Sequence, residues 1–186
     1  IQFVYEQDLQ GLDKIDLSQQ PLFNTLKGKF LELVAQVTMM KFNREWLDGA
    51  WFGRPGQVQV PLFAYVKQAY VGGSRTRQYQ IDVYGVTPAH DRCWICECKY
   101  TKTKMGLTQV RKLEAAAEVL REEAREAGRA VPTVQLWLIS TGGFTNDVLG
   151  YVTHQEDIYY SDHDGINNIF MAYGGNYRIP VFQESD

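Results

Sequence analysis

The stretch VQLWLIS, from Val134 to Ser140, constrains the fold more than any other part of this 186-residue chain. It is almost wholly apolar, so it predicts a strand that is covered on both faces, in the middle of a sheet. The segment before it, from Leu107 to Glu126, is strongly helical and is ended by Gly128. A helix that leads into a central strand predicts an α/β fold.

Apolar periodicity and turn residues predict seven further elements. In chain order they are a helix at Leu22–Phe42, strands at Val58–Val71, Thr76–Val86 and Arg92–Tyr100, a helix at Thr145–Gln155, a strand at Ile158–Tyr160 and a helix at Gly165–Ala172. The turn Gly72-Gly73-Ser74 joins the first two strands as a hairpin. The complete order, α, β, β, β, α, β, α, β, α, predicts a mixed sheet with helices on both faces.

The first helix carries an apolar stripe that predicts its buried face. The residues at helical spacing are Phe23, Leu26, Phe30, Leu33, Val34, Val37 and Met40. The length of the chain predicts one domain over residues 1–186, with a core at about residues 22–161. Because the chain begins with Ile1 rather than Met, we expect it to be part of a longer protein with additional domains.

Composition limits the classes of function. A net charge of −3 gives no bulk basic signature, although a local basic face can still bind a phosphate backbone. No apolar run approaches the length of a membrane span, so a membrane partner is not expected. Three cysteines provide no disulfide framework, which indicates a reducing compartment and a cytoplasmic protein.

Charged residues interrupt the predicted strand Arg92–Tyr100. Glu97 and Lys99 follow Trp94, Ile95 and Cys96, in a stretch that otherwise has the composition of a core strand. Because side chains alternate along a strand, Glu97 and Lys99 share one face, about 6–7 Å apart along the chain. A buried carboxylate and ammonium are costly unless they are paired or bind a ligand.

A second carboxylate, Asp82, lies within the preceding strand. A turn centred near residues 88–90 would place Asp82 opposite Glu97 on an antiparallel neighbour. Two carboxylates this close repel each other, and a hard divalent cation such as Mg²⁺ removes that conflict. Lys99 faces the same position and could orient or deprotonate a water molecule.

These residues resemble the PD-(D/E)XK nuclease superfamily, which has the restriction-endonuclease-like fold. The matching residues are Ile81-Asp82 and Glu97-Cys98-Lys99, and the similarity extends over roughly residues 23–160 with the element order αβββαβ. The stretch from Leu136 to Val148 is similar to the Mrr-like branch. Ile81 stands where the family motif has Pro, a departure that removes no catalytic group.

The resemblance implies a Mg²⁺-dependent endonuclease, with Mn²⁺ as an alternative ion, that hydrolyses DNA in a defence or DNA-processing system. Asp82, Glu97 and the carbonyl oxygen of Cys98 would bind the metal, and Lys99 would act on the attacking water. Glu32 would hold a metal-bound water or a second ion, and Gln109 would support the site. Many such nucleases dimerise, so a homodimer is compatible with the resemblance.

Basic residues near the motif are candidate phosphate contacts. They are Arg75, Arg77, Lys102, Lys104, Arg111 and Lys112. The alternative is that they form an ordinary solvated surface. Likewise, Glu32 and Gln109 could be plain helix-surface residues.

Other interpretations of the chain stay open at this point. A catalytically inactive module that binds nucleic acid or a protein partner could keep the same fold, and the same site could act on RNA or junction DNA. The C-x-x-C of Cys93 and Cys96 suggests zinc or redox chemistry, but residues three apart on a strand face opposite ways. The loop at residues 141–143 could cradle a phosphate or be a tight connection, and the polar stretch at residues 161–165 could hold a metal or open a helix.

Overall fold

The computed structural model describes residues 21–73 and 77–173, with side chains from residue 26 onward. The elements, in chain order, are helix α1 (Pro21–Lys41), strand β1 (Trp46–Asp48), a 3₁₀ turn (Gly49–Phe52), strands β2 (Gln57–Gln59), β3 (Tyr65–Val71), β4 (Tyr79–Val86) and β5 (Arg92–Lys99), helix α2 (Leu107–Glu126), strand β6 (Thr133–Ser140), helix α3 (Asn146–Val152), strand β7 (Ile158–Ser161) and helix α4 (His163–Tyr173). The predicted helices and the main strands are present, with ends that differ by a few residues.

A five-stranded mixed sheet in the order β3-β4-β5-β6-β7 forms the centre of the fold. Strands β3, β4 and β5 are antiparallel neighbours, whereas β6 and β7 continue the sheet in parallel. The crossover helices explain this change, because parallel neighbours cannot be joined by a tight turn. The prediction of an α/β fold with the core order αβββαβ is therefore confirmed.

Helices cover both faces of the sheet and enclose two apolar clusters. Helices α1 and α4 pack on the face that carries Trp94 and Trp137. Helices α2 and α3 pack on the opposite face, against Ile95 and Leu138. Within the described residues, no helix has the length and apolar character needed to cross a membrane.

The prediction of one strand from Val58 to Val71 was wrong. The chain forms β2, which pairs with β1 in a separate small sheet, and then β3. Pro61 lies between β2 and β3, and a proline has no N–H for a strand ladder. Strands of three residues are too short for an apolar pattern to reveal, which explains why β1 was not predicted.

The predicted buried face of α1 was also wrong. The residues that pack into the core are Leu31, Val34, Ala35, Thr38 and Met39, whereas the residues left exposed are Leu26, Phe30, Leu33, Val37 and Met40. Of the predicted stripe from Leu26 onward, where side chains are described, only Val34 is on the observed core face, and the side chain of Phe23 lies outside the described part. This helix has two apolar faces, so periodicity alone did not identify the one that meets the sheet.

This difference between the two faces predicts a contrast between neighbouring leucines. Leu31 is fully buried and Leu33 is 56% exposed. We expect Leu31→Ala to lower the free energy of unfolding by about 2–5 kcal/mol, because it leaves a cavity. Leu33→Ala should change it by no more than about 0.5 kcal/mol. Urea unfolding of both variants measures the difference, and equal losses would contradict the observed orientation of α1.

Candidate functional site

The site lies where β4 and β5 run side by side. The antiparallel register pairs Val83 with Cys96 as the last pair of the ladder, and Asp82 and Glu97 lie just beyond it on their two strands. The charge of Glu97 acts on Asp82, so the two carboxylates lie near each other as the sequence predicted, although they are not a pair of the ladder. At this point the Asp82 side chain bridges the strands, because its Oδ2 accepts a hydrogen bond of 2.9 Å from the backbone N–H of Cys98.

Glu97 is a buried carboxylate that is bound by two lysines. Its side chain is 2% exposed. Lys99 Nζ lies 2.8 Å from Oε1, as expected for two residues on one face of a strand. Lys112 Nζ, from helix α2, lies 3.1 Å from Oε2. The energetic cost of burying this carboxylate is therefore offset by one ammonium group at each of its two oxygens.

Burial and charge shift the protonation equilibria of the site. Burial raises the pKa of Asp82, and repulsion from Glu97 and Glu32 adds to the rise, while the Cys98 N–H opposes it. For Lys99, burial alone would lower the pKa. The hydrogen bond and charge of Glu97, together with the charge of Asp82, outweigh burial and raise it. Lys99 is therefore an ammonium at neutral pH, suited to orient an oxygen rather than to remove its proton.

Helix α1 brings a third carboxylate to this region. Glu32 is largely buried and binds Lys29 Nζ at 2.7 Å, and its charge acts on Asp82. Four residues on, Gln36 Nε2 donates a 3.3 Å hydrogen bond to the backbone oxygen of Asp82. Sequence reasoning missed Gln36, although its spacing from Glu32 places both on one face of the helix.

Helix α2 contributes Lys112 to the site, and Gln109 lies one helical turn before Lys112. Gln109 is partly buried at the start of the helix, beside Gly106. Its supporting role stays a prediction. Lys112 was predicted as a phosphate contact, but in this structure its ammonium group lies on Glu97.

The other predicted phosphate contacts lie at different distances from the site. Lys102 and Lys104 are exposed in the loop that follows β5. Arg77 is exposed and its guanidinium lies over the Tyr79 ring at 5.6 Å, while Arg75 is outside the described residues. Arg111 turns away from Glu97.

Arg111 belongs to a separate polar network on the outside of α2. Its Nη1 lies 2.8 Å from Glu114 Oε2 and 2.8 Å from the Tyr151 hydroxyl, and its guanidinium stacks on the Tyr151 ring at 4.2 Å. These contacts satisfy the guanidinium within the protein, so Arg111 would have to leave them to bind a phosphate.

The donors at the site are suited in kind to a hard cation. Asp82 and Glu97 supply carboxylate oxygens and Cys98 a backbone carbonyl, the ligand types that Mg²⁺ takes alongside water and phosphate oxygens. In residues 21–73 and 77–173, no three His, Cys, Asp or Glu side chains cluster closely enough to hold a metal by themselves. Any cation here would therefore depend on these two carboxylates, on water and on substrate.

The three cysteines do not form a metal or redox site. Cys93 packs in the cluster under α2, whereas Cys96 and Cys98 pack in the cluster under α1. Burial raises the pKa of the Cys93 thiol to about 12 and that of the Cys96 thiol well above its usual range. Such thiols are poor nucleophiles and poor metal ligands.

The loop at residues 141–143 is a tight connection to the strand that carries the site. Thr141 Oγ1 accepts from the N–H of Thr101 at 3.0 Å, which ties the end of β6 to the end of β5. A Cβ at Gly142 would lie 2.6 Å from the Thr103 carbonyl oxygen. At residues 161–165, Asp162 Oδ1 accepts from Gly165 N–H at 3.0 Å, a polar turn that opens α4.

Packing at Gly142 predicts a substitution effect with a matched control. Gly142→Ala should destabilise the protein by about 1–3 kcal/mol, because the backbone around Thr101 and Thr103 must move. Gly150→Ala should stabilise it by up to about 1 kcal/mol, because that glycine lies in α3 with open space around it. Thermal unfolding of the two variants should shift in opposite directions, and a parallel shift would contradict this packing.

Comparisons with known proteins give weak similarity. No family model matches the chain, and no curated protein matches it. Among solved structures, it is similar to the EndoMS–dsDNA2 complex (16% identity, TM-score 0.35, 52% of this chain and 36% of that chain). It is also similar to a repair endonuclease from Pyrococcus abyssi (16% identity, TM-score 0.34, 52% of this chain and 38% of that one). Each match spans little more than a third of the other chain, and neither points to the Mrr-like branch.

Proposed function

We propose that this chain is a divalent-metal-dependent endonuclease module that hydrolyses DNA phosphodiester bonds. The observation that carries the proposal is the meeting of two buried carboxylates, Asp82 and Glu97, with the Lys99 ammonium at the β4–β5 junction. A protein that needed only stability would gain little by burying these groups. The energetic cost of burying these charged groups is explained if they bind a ligand.

Each residue has a distinct role in the proposed site. Asp82, Glu97 and the Cys98 carbonyl would hold Mg²⁺ or Mn²⁺. When bound, this ion would make a coordinated water more acidic and offset the charge of the phosphate. Lys99, held on Glu97 Oε1, would donate a hydrogen bond to the attacking water or to a phosphate oxygen. Gln36 would fix the β4 backbone at Asp82 from the side of α1.

Glu32 and Gln109 would complete the site from the two flanking helices. Glu32 would bind a metal-held water or a second ion after Lys29 releases it. Gln109 would support the site from the first turn of α2. Exposed Lys102 and Lys104, which follow Lys99 in the chain, would contact phosphates beside the scissile bond.

A second candidate is a catalytically inactive module that keeps the fold and binds nucleic acid or a protein partner. One observation favours it: both oxygens of Glu97 are bound by lysines, which neutralise the carboxylate without a metal. This candidate predicts that DNA binding survives loss of Asp82 and that no cleavage occurs.

Cleavage of supercoiled plasmid in Mg²⁺, Mn²⁺ or EDTA tests the two candidates. The comparison is wild type against Asp82→Asn, which keeps the size of the side chain and an oxygen acceptor for the Cys98 N–H. Nicking that requires the metal and is lost in Asp82→Asn supports the nuclease. Retained DNA binding without cleavage by wild type in any metal supports the inactive module, and a panel of RNA and junction substrates identifies other specificities.

A further inference from the structure

Lys112 is the feature of the site that the proposed mechanism does not yet use. It lies on α2, fifteen residues from Glu97 in sequence, and its Nζ contacts both Glu97 oxygens, at 3.1 Å and 3.5 Å. The Lys99 contact is shorter, at 2.8 Å, and comes from the same strand as Glu97. One buried carboxylate therefore faces two ammonium groups that differ in distance and in the element that carries them.

Two ammonium groups are more than one carboxylate requires. Lys99 alone neutralises Glu97, and the two lysines repel each other across it. A divalent cation that binds Glu97, whose side chain is 2% exposed, would add to this repulsion. One lysine is therefore expected to leave when a cation binds.

Lys112 is the lysine with the freedom to leave. The side chains of Lys99 and Lys112 are equally exposed, at 41%, so exposure does not decide between them. The Lys112 contact with Glu97 is the longer of the two, and α2 can release Lys112 without moving β5. The next residue back, Arg111, is engaged with Glu114 and Tyr151 and does not replace it at Glu97.

We propose that Lys112 is a displaceable counter-ion of Glu97, which competes with the divalent cation for this carboxylate and moves to a DNA phosphate when the cation binds. The inference rests on the proposed function, because it assumes a cation at Asp82 and Glu97. It also explains why Lys112, which the sequence predicts as a contact to a DNA phosphate, lies on Glu97 in the structure. Lys112 is thus a positioning residue, since it acts through Glu97.

Titration calorimetry with Mn²⁺, without DNA, tests this inference. Wild type is compared with Lys112→Met, with Lys112→Arg, which keeps the charge, and with Lys41→Met as a control at an exposed lysine at the end of α1. We expect Lys112→Met to bind Mn²⁺ about 10-fold more tightly, because a nearby like charge is gone. Lys112→Arg and Lys41→Met should match wild type.

A purely structural ion pair predicts a different result. Lys112→Met would then lose stability while its Mn²⁺ affinity stayed equal to that of wild type or fell, and the inference would be overturned. If Lys112→Met does not fold, Lys112→Gln takes its place, because the amide can still donate a hydrogen bond to Glu97 without carrying charge. The same gain in affinity is then expected.

A further variant separates this inference from the proposed function. In Glu97→Gln the cation should bind far more weakly. If Glu97→Gln binds Mn²⁺ as tightly as wild type does, both the metal site and the role of Lys112 are wrong. If Glu97→Gln weakens binding but Lys112→Met has no effect, the metal site stands and only the role of Lys112 is wrong.

Discussion

Replacing Lys99 by Met is expected to slow the proposed metal-dependent DNA cleavage by about 10²–10³-fold, the usual effect of losing one preorganised charged donor in an active site. The ammonium of Lys99 is held at 2.8 Å from Glu97, next to Asp82. Methionine keeps most of the length of the stem but removes the charge and the hydrogen-bond donors. Single-turnover cleavage of a labelled duplex measures the loss in the chemical step.

The control for this variant is Lys104→Met, which removes a lysine exposed in the loop after β5. Loss of a surface phosphate contact should weaken DNA binding and make it less dependent on salt, while the rate at saturating enzyme changes little. Lys99→Met should show the opposite pattern: it should largely keep its affinity for DNA but lose most of the cleavage rate. Cleavage by Lys99→Met at the wild-type rate would remove Lys99 from the proposed mechanism.

The proximity of Asp82 to Glu97 could be predicted because it depends on local rules. Alternation along a strand places Glu97 and Lys99 on one face, and a short turn sets the antiparallel register. Both rules use only residues close together in sequence. The observed register, with Val83 opposite Cys96, agrees with them.

The role of Lys112 could not be predicted because it depends on tertiary packing. Arg111 and Lys112 are adjacent basic residues, and only the rotation of α2 about its axis decides which one reaches the sheet. In the structure, Lys112 reaches Glu97 and Arg111 reaches Tyr151. The rotation is set by the burial of Val110 and Leu113, which a sequence pattern indicates only approximately.

The prediction of the buried face of α1 was wrong for a related reason. Leu31 and Leu33 have the same intrinsic preferences, and both belong to an apolar stripe of helical period. Which stripe is buried depends on where the sheet places Trp94 and Trp137, residues far away in sequence. Periodicity thus identified the helix, but the choice between its two apolar faces required the partner surface.

Replacing Trp137 by Ala is expected to lower the free energy of unfolding by about 3–5 kcal/mol, the usual range for an aromatic residue removed from a core. Trp137 is fully buried, and its ring lies between 5.4 and 6.2 Å from those of Phe42, Phe52 and Trp94. Its Nε1 donates a 2.9 Å hydrogen bond to Ser161 Oγ, which links β6 to β7.

Trp137→Phe and Trp46→Ala are the matched comparisons. Phenylalanine keeps most of the apolar contact and loses the hydrogen bond to Ser161, so about 1–2 kcal/mol is expected. Trp46 is 57% exposed in β1, and its truncation should cost about 1 kcal/mol or less. Equal losses for Trp137→Ala and Trp46→Ala in urea unfolding would contradict the central position of Trp137.

The same variants separate the scaffold from the site. Trp137 is paired in register with Cys96, on the face of the sheet opposite Glu97 and Lys99. Its loss should therefore reduce DNA cleavage only by the fraction of molecules that unfold, whereas Lys99→Met should reduce cleavage in fully folded molecules. Comparing the rate with the folded fraction over a temperature series distinguishes these two causes, because only the Trp137 effect should disappear on cooling.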